Sequence, residues 1–320
     1  MKKHLFFKII RKIRKQRTYT DRFVALNNQE ANDYIYSEIE KAINARYGLM
    51  ISKFGTIELN CINCYLQNKC NGKVENINNA TSGIYELYID DAIDNLCKNA
   101  GFFPNDTSLV EKYVDLTLSD MGKIDILGSY LEGERFIESY MSPRCKRVNL
   151  NGFYAPYLWK NPWSMLLKGQ RVLVIHPFAE TINSQYYNNR EKLFSNQDVL
   201  PEFRSLEIIP AVQSIAGEQT DFNSWFEALK HMENEIDKCE FDIAIIGCGA
   251  YGMNLASYVK GKGKIAIHLA GWTQMLFGIY GKRWIEDQPE FGKFVNEYWT
   301  RPNVSERPKN ADSVEGGCYW

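Results

Sequence analysis

What this chain lacks narrows its class before any motif is read. Its charge nearly cancels: 38 lysines and arginines stand against 39 aspartates and glutamates, a formal net charge of -1 over 320 residues. A chain with no overall field does not draw polyanions, so no nucleic-acid partner is expected. No apolar run approaches the roughly 20 residues that a membrane-spanning helix needs. No cleavable signal peptide is seen, so the eight cysteines are expected as reduced thiols of a cytosolic protein, and the sequons at Asn79, Asn105 and Asn303 carry no weight. Cys61 and Cys64 form a Cys-x-x-Cys pair followed by Cys70, yet no second pair or Cys/His cluster completes four zinc ligands, and buried thiols are the expectation. Internal repeats and low-complexity linkers are absent too, which favours one domain over an array.

The stretch "MKKHLFFKIIRKIRKQR" also lacks something: it has no acid. Lys2, Lys3, Lys8, Arg11, Lys12, Arg14, Lys15 and Arg17 alternate with Phe6, Ile9, Ile10 and Ile13 at helical spacing. That pattern predicts a basic amphipathic arm over residues 1–29, suited either to an anionic membrane surface through residues 2–17 or to a solvated or partner-bound role. Residues 30–300 read as the main domain. The segment 301–320, broken by Pro302 and Pro308 and ending in Cys318, Tyr319 and Trp320, is expected to pack back on it.

With 45% hydrophobic residues the chain can bury a large core, and the apolar residues are arranged in short runs. Residues 48–54, 123–130, 171–178, 206–212, 241–247 and 264–270 read as buried strands. Helical patterns separate them at about 55–68, 83–99, 106–119, 181–195, 222–238 and 250–261. The alternation predicts a Rossmann-like α/β fold, a mostly parallel sheet covered by helices on both faces. Such sheets bind ligands beyond the carboxyl ends of their strands, so the strand ends are where chemistry is sought. They carry Lys53, Gly55, Thr56 and Glu58; then His176, Glu180 and Thr181; then Ser214 and Glu218; then Gly247, Gly249 and Gly252; then His268, Trp272 and Gln274.

The run "GCGAYG" (247–252) has the glycine spacing of a dinucleotide fingerprint. A nicotinamide site also wants an acid at the end of the next strand, and there the chain reads His268-Leu269-Ala270-Gly271, with no acid before Glu286. No NAD is therefore expected. Glycines here serve any tight strand-to-helix turn, while the free amides and dipole of a helix start still favour a phosphate-bearing ligand.

Several stretches together resemble a known family. "SKFGTIEL" (52–59), "GFFPND" (101–106), "VLVIHPF" (172–178), "AVQSIAGE" (211–218), "DIAIIGCGAYG" (242–252), "AIHLAGWTQMLFGIYGKRW" (266–284) and "VEGGCYW" (314–320) are similar to the glycosyltransferase D-like family of bacterial surface-polysaccharide and glycoprotein assembly. The resemblance implies a transferase that moves a sugar from a nucleotide-sugar donor to a glycan or lipid-linked acceptor. It further implies a divalent ion (manganese or magnesium) held through an Asp-x-Glu motif; the cysteines and the basic arm for their part lead to the expectation of a cytoplasmic protein, peripheral on the inner face of the membrane. That motif falls on Thr56-Ile57-Glu58, so its first carboxylate is a threonine here and Glu58 is the one candidate metal ligand left.

Each of these residues has a plainer reading beside the functional one. Glu58 is either a donor or metal ligand or an ordinary helix-start acid. Lys53 offers a point charge to a diphosphate or is a solvated strand-end lysine. His176 or Glu180, with Glu218 third, is the expected general base toward the acceptor hydroxyl; a strand-end histidine is also a common structural hydrogen-bonder. His268 and Gln274 are expected against the donor, with Gly247, Gly249 and Gly252, and Trp272 stacks on a ligand or closes the core edge. A non-catalytic accessory protein that binds a nucleotide sugar is the alternative, and an NAD-dependent oxidoreductase a more remote one.

Overall fold

Seven short runs pair into one sheet, the inner five buried on both faces as a parallel sheet requires and the two edge strands only in part. The computed structural model describes residue 26 and residues 28–71 and 89–320; the basic arm over residues 2–17 lies outside them. The strands are β1 Leu49–Ser52, β2 Ile126–Ser129, β3 Lys146–Asn149, β4 Arg171–His176, β5 Ser205–Pro210, β6 Ile243–Ile246 and β7 Ile265–His268. They are ordered β3-β2-β1-β7-β6-β4-β5, every pair parallel.

The period of two along each strand divides the core. Met50, Leu127, Leu173, Ile175, Ala244, Ile246 and Ala266 face one layer. Leu49, Ile51, Val172, Val174, Ile243, Ile245, Ile265 and Ile267 face the other. The principal helices are α1 Asn28–Ala45, α2 Thr56–Asn71, α3 Ile89–Ala100, α4 Thr107–Met121, α5 Leu150–Tyr154, α6 Ala179–Leu193, α7 Trp225–Lys238, α8 Gly252–Gly261 and α9 Thr273–Leu276. Residues of α2, α3, α4, α7 and α8 pack in the first layer, those of α1, α5, α6 and α9 in the second.

This division follows from handedness. Connections running toward β3 (β1 to β2, β5 to β6, β6 to β7) carry their helices on one face, and the two running toward β5 (β3 to β4, β4 to β5) carry α5 and α6 on the other, as right-handed crossovers require. The Rossmann-like α/β expectation holds. The direction of travel reverses between β4 and β6, so their carboxyl-end loops diverge and leave a crevice.

The short helices α5 and α9 went unread in the sequence, and so did two longer-range elements, β3 and α1. In β3, Lys146-Arg147-Val148-Asn149, Val148 alone is buried; an edge strand solvated on one side shows no apolar run. Helix α1 does carry its signal, with Ala31, Ile35, Ile39 and Ala42 buried at helical spacing. The end of the chain lies on the body: Ala311, Val314 and Cys318 are buried, and the main-chain amide of Arg283 donates to Cys318 O at 2.9 Å.

Candidate functional site

The crevice is a cleft of about 170 Å³, many times the space one water needs. Six strand ends, among them β5 through Ala211 and Ser214, and the chain's last residues line it. Lys53, Gly55, Thr56 and Glu58 come from the β1 end, His176 and Phe178 from β4, Gly247, Cys248 and Gly249 from β6, and Trp272 and Gln274 from beyond β7. Tyr130, Arg283, Glu315, Tyr319 and Trp320 complete it.

The β1 end is the polar wall. Lys53 is only 9% exposed, although lysine is seldom so buried without a counter-charge. Its ammonium lies 3.5 Å from Tyr130 Oη and 5.1 Å from the centre of that ring. No carboxylate ion-pairs with it among the described residues. Tyr130 is itself fixed: its hydroxyl donates to Phe54 O at 2.9 Å and lies 3.3 Å from Thr56 Oγ1. Buried Glu134 holds the loop behind it, accepting from the amides of Tyr130 and Leu131 at 2.9 Å and from the Ser129 hydroxyl.

Glu58 is half-buried, and its carboxylate folds back onto its own helix start, filling the place a side chain on Gly55 would need. Burial pushes its pKa up, the bond to its own amide and the nearby Lys53 pull it down, and Glu315 raises it again. Cys248, beside it, is pushed up by burial and then by the Glu58 charge, so it is a thiol rather than a nucleophilic thiolate.

His176 is buried, and burial alone lowers its pKa to about 3. Its Nδ1 accepts the Phe178 amide at 3.0 Å, which leaves Nε2 as the nitrogen that carries hydrogen. A neutral ring in that tautomer donates and does not take a proton, which corrects the general-base role expected for it. Glu180 and Glu218 stand outside the cleft lining. Glu180 is exposed at the start of α6, where Glu306 caps the helix by accepting from the amides of Glu180 at 2.7 Å and Thr181 at 3.3 Å. Glu218 accepts the Lys309 amide at 3.0 Å. Both are tied to the chain's last twenty residues, which the sequence could not place.

The glycine run answers to packing. A side chain on Gly247 would lie 2.5 Å from Thr273 Oγ1, and one on Gly249, at φ 55°, would lie 2.6 Å from Ala100 O. One on Gly252 would collide with the His268 ring. His268 lies behind the cleft wall, 2.9 Å from Ser52 Oγ through Nδ1, with Nε2 buried and unpartnered; neither it nor Gly252 lines the cleft. Gln274 does, but its amide donates to Tyr319 O at 3.2 Å, so it anchors the chain's end. Trp272 stacks on Tyr154 at 3.9 Å and meets Phe291 edge-on at 4.7 Å, the core-edge reading of that ring.

Comparison with protein-family models, with curated proteins and with solved structures finds no match for this chain.

The far wall was missed by sequence reasoning. The Arg283 guanidinium lies 4.4 Å from the Tyr319 ring centre, pairs with Glu315 and bonds Tyr319 Oη at 3.2 Å. Two of the four described non-glycine residues with positive φ, Ala270 at 52° and Glu315 at 45°, line this cleft, where strained backbone tends to gather. The donor set does not suit a resident divalent ion. Glu58 is bent onto its helix, Glu315 is held by Arg283, the Lys53 ammonium shares the space, and no group of three His, Cys, Asp or Glu able to hold a metal occurs among the described residues. Cys61 and Cys64 are buried in the apolar core.

Proposed function

We propose that the chain is a glycosyltransferase that binds a nucleotide sugar in this cleft and transfers the sugar to an acceptor hydroxyl in bacterial surface-polysaccharide or glycoconjugate assembly. The observation that carries the reading is the meeting of Lys53, Glu58 and Gly249, remote in sequence, on one cleft at the sheet's reversal point. The motif resemblance to the glycosyltransferase D-like family supplies the reaction class.

In this reading the donor diphosphate lies between Lys53 and the glycine turn. Tyr319 and Trp320 give the apolar wall against which a base or sugar ring rests. The His176 Nε2–H donates to a ligand oxygen. Glu58, a carboxylate whose proton affinity burial raises, takes the acceptor proton as the donor's bond to the diphosphate breaks. The basic arm of residues 2–17 holds the protein on an anionic inner leaflet, where lipid-linked acceptors reside. No helix of the described residues is long and apolar enough to cross a membrane.

Incubation with a panel of nucleotide sugars and a bacterial membrane extract tests this: release of nucleoside diphosphate that depends on the extract, and is lost in Glu58→Gln, is the expected result. A panel in which no nucleotide sugar shifts the melting temperature would overturn it. Thr56, standing where the family motif has a carboxylate, favours a second reading, an accessory protein that binds the donor without turning it over; binding with no transfer in any condition would select it.

A further inference from the structure

We infer that the cleft neutralises its ligand's diphosphate with the chain's own cations, Lys53 first and Arg283 second, in place of a divalent metal ion. This rests on the nucleotide-sugar reading and goes beyond it. A buried ammonium costs several kcal/mol when unpaired, and folded chains keep one only where something offsets the loss. Lys53 is nine-tenths buried, opens on the cleft, and has no ion-pair partner among the described residues: a phenol lies at 3.5 Å, and the Glu58 carboxylate, which feels its charge, is folded onto its own helix start. The missing counter-charge is the ligand's.

Arg283 reaches the same cleft from the other wall and is held over Tyr319. Its carboxylate partner, Glu315, is one an incoming phosphate can replace, since a guanidinium binds both anions with the same fork geometry. Glu58 plays the opposite part to a metal ligand. Its carboxylate lies over Gly55 at the start of α2, the place a phosphate would favour, so it keeps the helix start occupied until an anion arrives.

Two cations lining one cleft supply the charge that a divalent ion otherwise brings to a diphosphate. They need none of the hard oxygen ligands that are missing at position 56.

Calorimetric titration of the full chain with uridine, guanosine and cytidine diphosphates, each in EDTA and in manganese, tests the inference. At least one is expected to bind in EDTA with an affinity within about twofold of that in manganese. Lys53→Met is expected to weaken it at least tenfold while raising the melting temperature of the free protein, because an unpaired buried charge has been removed. Glu58→Gln is expected to hold or tighten binding. Binding that requires manganese and is lost in Glu58→Gln would overturn the inference and leave the nucleotide-sugar reading standing. Failure of all three diphosphates to bind in either condition would overturn both.

Discussion

The two edges of the same sheet treat charge in opposite ways. At the amino-terminal edge the carboxylates Asp242, Asp125 and Asp120 all have partners. Asp242 takes a two-point grip from Arg171, at 2.7 and 3.1 Å, and Asp125 accepts the Met50 amide and the Lys260 ammonium, both at 2.8 Å. Buried Asp120 is shared among Asn254 at 2.8 Å, Ser257 at 2.6 Å and Lys123 at 3.0 Å. At the carboxyl-terminal edge the capacity is unspent: Lys53 has no carboxylate, and His268 Nε2 and Gln274 Oε1 are buried without partners. The first edge is organised for stability. The second leaves polar groups unpartnered, the pattern that the nucleotide-sugar reading would call for.

Acid should separate the two edges most strongly. Burial holds His176 near 3, and burial with help from Lys53 does the same to His268. Both folded values lie below the ordinary histidine range, so above about pH 6.5 neither state binds the proton and nothing changes. Below it the unfolded chain binds protons the folded one refuses, and stability falls toward pH 3, by about 2 kcal/mol for each ring at pH 5. Urea titrations across pH 7 to 5 should show that slope, and His268→Gln should flatten it. An unchanged slope in that variant would mean His268 is not the buried neutral group described.

A smaller effect sharpens the same contrast. Gly247→Ala forces a methyl against Thr273 and Ala270 and should cost about 2 kcal/mol whether or not a ligand is present. A loss of nucleotide affinity with full stability would instead make the turn a binding device first.

The smallest change belongs to the settled edge. Arg171→Ala should cost only a little stability, since the pair is partly exposed and screened by solvent, and leave nucleotide affinity alone. Arg171 holds the Asp242 carboxyl below its usual range, so the pair's contribution is present at neutral pH and fades as pH falls through that lowered value. Denaturation at pH 7 and pH 3 measures both statements. Altered nucleotide affinity in this variant would break the division between edges.

The apolar runs that became β1, β4, β6 and β7 were legible because a strand buried on both faces must be apolar throughout. Strand β3 was not, since its burial is one-sided and its pattern is that of a loop. Lys53, Glu58 and Gly249 were legible as strand-end residues, for the topology of a parallel sheet brings such ends together whatever their spacing in sequence. Glu180 and Glu218 occupy equally promising positions in the sequence. What removed them from the cleft was Glu306 and Lys309, residues of a segment whose docking no local pattern encodes. The same segment delivers Glu315, Tyr319 and Trp320 to the far wall.

Periodicity and strand-end composition, both local properties, by themselves determined the α/β class, the parallel sheet and the edge on which polar residues gather. Tertiary structure alone decided that Lys53 is buried without an ion-pair partner, that His176 presents a hydrogen rather than a lone pair, and that Arg283 and Glu315 share a cleft with Glu58. Those are properties of dielectric and direction, and they arise only when segments far apart in the chain exclude water from one another.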